Sequence, residues 1–274
     1  LAAAIARRAA ERELFRRIVM VDANDGRARG KALDLAQSGP VESYDVALEG
    51  CAQLSEAGRF DALVVADPPV LDDGASGTRG DELARGLLPA VGEGPVVVAG
   101  LQGAPVVEAL VRAGLARERA LGSTAIALAS ALRQALAREL DVAPAAVAAT
   151  VLGLPGHLVM PQGAVTVGGA PLERLSPVAG RRALAAVSAR ALGPVALAAG
   201  AVTLLKALRS SRATVLPVIA VLAGEYGHRG AAAAVPARVG SGRLLAVLEA
   251  QFEPVDRVAF DNAVSFRSPR VNRD

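Results

Sequence analysis

The feature that most constrains this chain is a rhythm of short apolar runs separated by helical stretches. Ile18-Val-Met-Val21 is a largely β-branched run that ends at Asp22, and Ala62 to Ala66 and Pro95 to Ala99 are two more, each bounded by Gly, Asp or Pro. Runs of that length without polar alternation fit strands buried on both faces, as in a parallel sheet covered by helices. Gly30 to Gln37 and Asp81 to Val91 read as helices between them. Ala2 to Arg17 reads as a helix ahead of the first run, with apolar positions at Ile5, Ala9 and Leu14. Alternating strands and helices specify an α/β sheet.

The second half is less regular. Ser123 or Thr124 can cap a long helix that reaches Leu140. Val147 to Leu154 then reads as a strand, Ala164 to Val167 with Gly168-Gly169 as a hairpin element, and Ser188 to Arg209 as mostly helix. Val215 to Leu222 reads as a strand broken by Pro217, and a terminal helix is expected within Glu253 to Ser265. The chain therefore divides near residue 122 into a nucleotide-binding-like half, 1–122, and an α+β half, 123–274.

Composition removes several function classes. At 274 residues with 52% hydrophobic and 21% charged, the chain can bury a large core, which excludes disorder and small disulfide scaffolds. Lysine occurs only at Lys31 and Lys206, so nearly all of the 30 basic residues are arginine, set against 27 acids with no dense basic block and no Trp. That pattern argues against a nucleic-acid partner. Apolar runs such as Val195 to Leu205 are too short for a bilayer span. Cys51 is the one cysteine, so no internal disulfide forms, and a reducing cytoplasm is the default reading. Two histidines, His157 and His228, without Cys or carboxylate at ligand spacing, give no metal site.

An acid at the end of a strand can accept both hydroxyls of an adenosine ribose, and Asp22 stands in such a place. The stretch Phe15-Arg-Arg-Ile-Val-Met-Val-Asp22, followed by Gly30-Lys-Ala-Leu-Asp-Leu-Ala36, resembles the second strand and following helix of the malate/lactate dehydrogenase family. Arg119-Ala-Leu-Gly122, Val151-Leu-Gly153 with Gly156 and Pro161, and Gly168-Gly-Ala-Pro-Leu172 continue the likeness in order and spacing, as do Val215-Leu-Pro217, Gly224-Glu-Tyr-Gly227 and Val235-Pro236. The resemblance implies a Rossmann-type doubly wound parallel sheet with a C-terminal α+β domain, and a homo-oligomer, dimer or tetramer. It also implies NAD as cofactor, with Asp22, Ala66 and Gly100 on the cofactor side, and a small hydroxy or keto acid as substrate. In that family a first strand and a glycine-rich turn precede the segment resembling Leu1 to Glu13. If nothing precedes Leu1, the central strand and the phosphate cradle are missing and their neighbours are left with unpaired edges; a truncated sequence is the expectation.

The chemistry implied by the resemblance needs a base, usually His held by a carboxylate, and an arginine fork for the substrate carboxylate. The family's Gly-x-His-Gly-Asp segment reads here as Gly153-Leu-Pro-Gly-His157, so that Pro155 stands where the imidazole belongs. Leu128 and Ala131 stand where the orienting Asp and the binding Arg belong, and Gly100-Leu101 replaces an Asn-Pro. The first loop arginine falls among Leu71, Asp72 and Asp73, and only the second, Arg79, is retained. Asp67 adds a carboxylate where phosphates would lie. General-base catalysis alone is worth roughly 10²–10⁴ in rate, so ordinary turnover is expected to be poor.

Three readings follow. The chain is a degenerate paralogue without its acid-base pair; or a working NAD(P)-dependent oxidoreductase with His157 or a water as base and Arg79 on an anion; or a partial or decaying gene product. Arg133 reads as a solvated or interface charge, His228 as structural, and Lys31 and Asp34 as packing or contact residues.

Overall fold

The computed structural model describes residues 1–67, 76–161, 163–190 and 192–265, with the side chains of 76–79 and 177 outside the description. Five short parallel strands with intervening helices form the first half: α1 Ala2–Ala10, β1 Arg17–Val21, α2 Asp25–Glu42, β2 Ala47–Cys51, β3 Leu63–Ala66, α3 Ser76–Leu87, β4 Val96–Ala99, α4 Gly103–Arg112 and β5 Ala120–Gly122. The second half runs α5 Thr124–Glu139, β6 Val147–Ala149, β7 Leu152–Leu154, β8 His157–Val159, β9 Val165–Val167, β10 Ala170–Pro171, α6 Leu172–Leu175 and α7 Pro177–Ser188. It closes with α8 Pro194–Arg209, β11 Thr214–Ala223, β12 Arg229–Gly240, β13 Arg243–Val247 and α9 Pro254–Ser265.

β3, β4 and β5 pair in parallel, and the sheet continues antiparallel through β11, β12, β7 and β8, with β13 also on β12. The two halves of the chain thus share one sheet, joined where Ile219 of β11 faces Gly122. A Cβ on Gly122 would lie 2.8 Å from the Ile219 Cβ, so glycine is what lets the strands meet there. β4 is buried along its whole length, with Val96, Val97, Val98 and Ala99 all 0% exposed. Val96 and Val98 face one apolar cluster with Leu110, Leu128, Leu132 and Leu136, while Val97 faces another with Leu204, Leu208 and Phe260. Burial on both faces explains why this strand is an uninterrupted apolar run.

β1 and β2 form a separate parallel pair, in register from Arg17 opposite Ala47 to Val21 opposite Cys51. Among the described residues β1 pairs only with β2, and β3 only with β4, so each has an unpaired edge. Ile18 of β1 and Val64 and Ala66 of β3 nevertheless share one apolar cluster with Ile5 and Ala9 of α1 and Ala198, Ala201 and Val202 of α8.

Several local expectations need correction. The first helix ends at Ala10, not Arg17, because the chain turns at Glu13, which has φ 47°. The second starts earlier and ends later than Gly30–Gln37, since Asn24 caps it by accepting the Arg27 N–H at 3.0 Å. Val147 to Leu154 is two strands in different sheets, β6 against β9 and β7 against β12. Pro217 does not break β11: it sits opposite Pro236 of β12, a register position where neither residue has an N–H to give. The stretch from Ser188 to Arg209, by contrast, is mostly helix as expected, with α7 ending at Ser188 and α8 running from Pro194 to Arg209.

Candidate active site

In an open α/β sheet the ligand crevice lies outside the carboxyl ends of the parallel strands. Here those ends lead into Asp22 after β1, Asp67 after β3, Gly100 to Gln102 after β4, and Ser123 after β5. Ser123 and Thr124 are almost fully buried and tie this edge together: Thr124 Oγ1 donates to the Gly100 carbonyl at 2.6 Å, and the Ser123 N–H donates to Val98 O at 3.0 Å. Gly100, at φ 139°, turns the chain from β4 toward α4 in a conformation that favours glycine.

A cavity of about 260 Å³ opens beside this edge. Its walls are Leu101 and Gln102 from the loop after β4, Leu128 from α5, Pro155 and Gly156 from the turn between β7 and β8, and Val187 to Arg190 from the end of α7. Leu128 and Pro155, the positions read from sequence as those of the lost carboxylate and imidazole, thus line one cavity. Leu128 is 3% exposed and belongs to the apolar core. Pro155 precedes Gly156, whose φ is 87°, the residue pairing of a type II turn. Neither side chain can carry a proton.

The polar groups on the cavity wall are Gln102, Ser188 and Arg190, none of them anticipated from the sequence. Among the described residues the Arg190 guanidinium has no hydrogen-bond or ion-pair partner. The one signal available was the Gly193-Pro194 pair, which ends any helix read through Arg190. A larger cleft of about 1300 Å³ lies at the opposite, amino-terminal ends of β3, β4 and β5, around Arg59, Gly94 and Arg119, away from the ligand edge.

The other candidates are dispersed. His157 begins β8, is exposed, and is not part of the cavity wall. His228 is held through Nε2 by Asp261 Oδ1 at 2.8 Å and meets Phe260 edge-on, a structural position. Burial pushes the Asp261 carboxyl up, but hydrogen bonds with His228 and Arg257 outweigh it and hold the pKa below its usual value. Arg133 donates to Val147 O at 2.8 Å and Pro144 O at 3.3 Å, stitching α5 to the loop after it, while Ala131 is half-buried against the core. Lys31 and Asp34 pair at 3.3 Å on an exposed face of α2. Arg79 lies in α3, but its side chain, like Leu71, Asp72 and Asp73, lies outside the described residues.

Of the residues expected on the cofactor side, Asp22 directly follows β1. Its Oδ1 accepts the Asn24 N–H at 2.9 Å, and its Oδ2 accepts from Arg27 Nη2 at 2.6 Å and Nε at 2.9 Å. These bonds, the Asn24 N–H foremost, hold its carboxyl below the usual range, so it is an anion ready to accept. Arg27 is 68% exposed and can leave for a ribose diol at little cost. Ala66 ends β3 and is partly buried, while Gly100, just after β4, is buried with its carbonyl already accepting from Thr124 and from the Gly103 N–H. Asp67 sits less well with a pyrophosphate: its carboxylate is 63% exposed and lies 3.3 Å from the Leu1 nitrogen at the start of α1. The adenosine half of a dinucleotide fits these residues, and the phosphate half meets one acid. Among the described residues no three His, Cys, Asp or Glu side chains are placed to hold a metal, and no helix is long and apolar enough to cross a membrane.

No family model matches the chain. The malate dehydrogenase of Chloroherpeton thalassium is 29% identical over 293 residues, spanning 97% of this chain and 93% of that protein. Over nearly its whole length the chain is similar to proteins of the malate/lactate dehydrogenase family. Two solved members of that family share its fold. A malate dehydrogenase from Plasmodium falciparum, in complex with NADH, superposes with a TM-score of 0.87 over 97% of this chain and 92% of that one at 17% identity. A minor L-lactate dehydrogenase from Enterococcus mundtii in a ligand-bound form gives 0.83, over 96% and 92%, at 21% identity. Likeness at such identities speaks for the malate/lactate dehydrogenase architecture: a Rossmann-type sheet with a second, α+β unit built onto its edge.

Proposed function

We propose that this chain is a malate/lactate dehydrogenase paralogue whose hydride-transfer centre is silent. The observation that carries the reading is the wall of the cavity beside the carboxyl edge, where Leu128 and Pro155 stand together and no group able to accept a proton faces them. NAD is the cofactor this body would take, by likeness to relatives such as the NADH complex, with Asp22 on the adenosine ribose and Ala66 and Gly100 beneath the rest. Bound, it would supply a hydride acceptor. This chain would then have to remove the hydroxyl proton, and that is what its residues do not provide.

The size of the loss follows from general principles. A positioned base contributes roughly 10²–10⁴ in rate, and removing one partner of a buried hydrogen-bonded charge pair costs about 2–5 kcal/mol, a further one to four decades. The effects need not add, because such groups work as a unit. We further propose that the chain works as a homo-oligomer in the cytoplasm and divides into dinucleotide-side and substrate-side units near residue 122.

The alternative, an active oxidoreductase on an unusual hydroxy acid, rests on Arg79 and His157. It is disfavoured because His157 stands off the cavity wall. A steady-state assay of the purified protein with NAD⁺ and a panel of 2-hydroxy acids separates the two: no reduced cofactor is expected, and turnover abolished by His157→Ala would overturn the silent-centre reading.

A further inference from the structure

The cavity that lacks a proton acceptor has not lost its cation. Arg190 lines it from the loop between α7 and α8, and its guanidinium has no partner among the described residues. A cation just beyond a helix C-terminus is favourably placed whatever else it does. What singles this one out is the company it keeps. It shares a recess with the apolar residues Leu101, Leu128, Pro155 and Val187, and with Gln102, whose side chain makes no capping hydrogen bond. A planar fork of donors beside an amide and an apolar wall is the equipment for a small organic acid: the carboxylate pairs with the guanidinium, and the short carbon chain lies against the aliphatic side chains.

We propose that Arg190 is the carboxylate-binding residue of this site, a cation supplied from the α7–α8 loop where Ala131 on α5 supplies none. The ligand class is a small carboxylate of a few carbons, because about 260 Å³ falls below the roughly 300–1,000 Å³ of pockets for drug-sized molecules. Gln102 is placed to orient a second oxygen of the same ligand. The inference rests on the reading of this cavity as the family's reaction site, and it makes the silent centre a binding site: it holds the acid and does not oxidise it. Because Arg190 is exposed, the contact is screened by salt.

Calorimetric titration of the full chain with sodium pyruvate and L-malate tests this, with pyruvamide as the uncharged match for pyruvate. Expected are binding of at least one of the two acids, at least about tenfold weaker binding of pyruvamide than pyruvate if pyruvate is that acid, and weaker binding at high salt. Arg190→Ala should weaken the bound acid by about tenfold or more, Arg190→Lys by less, and Arg182→Ala, on an exposed part of α7, not at all. No binding of either acid to the unaltered protein overturns the proposal; so does equal binding by Arg190→Ala, or an equal loss with Arg182→Ala. Reduction of bound pyruvate by NADH in the same samples would overturn the silent-centre reading instead and leave the anchor standing.

Discussion

Building an acid-base pair at the two positions asks the structure a direct question. If Leu128 and Pro155 face one cavity, then Asp at 128 and His at 155 should find each other. Leu128 is 3% exposed in the apolar cluster with Leu132, Leu136 and Val187. Leu128→Asp forfeits about 1.5–3 kcal/mol of apolar transfer and buries a carboxylate without a partner, so the single variant should lose about 3–5 kcal/mol. Pro155→His gives up a proline that presets the turn before Gly156, at a cost of about 0.4–1 kcal/mol. In the double variant the imidazolium offsets the buried carboxylate, and the coupling should be favourable by about 0.5–3 kcal/mol, larger at pH 6 than at pH 8 because histidine titrates near 6.5. Urea unfolding of the four proteins at both pH values measures it, with Leu128→Asn as the uncharged comparison. Additivity within about 0.5 kcal/mol at pH 6 would refute the placement of the two residues on a common cavity.

Two further outcomes follow from the scaffold. Glu225 is 18% exposed; burial pushes its carboxyl up, but backbone N–H groups and the Arg117 guanidinium at 3.0 Å outweigh that and hold it below the usual range. A depressed native pKa gives stability that is present above the unfolded value of about 4.3 and lost as pH falls through the native one, so Glu225→Gln should cost about 1–2 kcal/mol at neutral pH and flatten the acid limb of the stability profile. Gly122→Ala drives a methyl to 2.8 Å from Ile219 Cβ and should cost about 1–3 kcal/mol in thermal or urea unfolding; an unchanged midpoint would show that the two halves do not meet there.

What the sequence made legible follows burial. β3 and β4 could be read because strands covered on both faces are continuous apolar runs. β2, Ala47-Leu-Glu-Gly-Cys51, could not: it has an exposed Glu49, and its Gly50 admits the backbone of α2, where a Cβ would lie 2.4 Å from Ala28 C. Val147 to Leu154 has one composition but two destinies, since long-range pairing with β9 and β12 decides which sheet each end joins. At the site, the apolar residues Leu128 and Pro155 were visible as departures from a family pattern. Arg190 was hidden because a lone arginine in a stretch read as helix carries no local signal; only the cavity that its segment and three distant ones enclose gives it meaning.

The central claim, a silent reaction centre in a dehydrogenase-like fold, is tested most directly by isotope transfer. The purified chain would be incubated with NADH deuterated at the nicotinamide C4 and with oxaloacetate or pyruvate, and the organic acid examined by mass spectrometry after many hours. The account requires no deuterated hydroxy acid beyond a protein-free control; steady accumulation of labelled malate or lactate would contradict it.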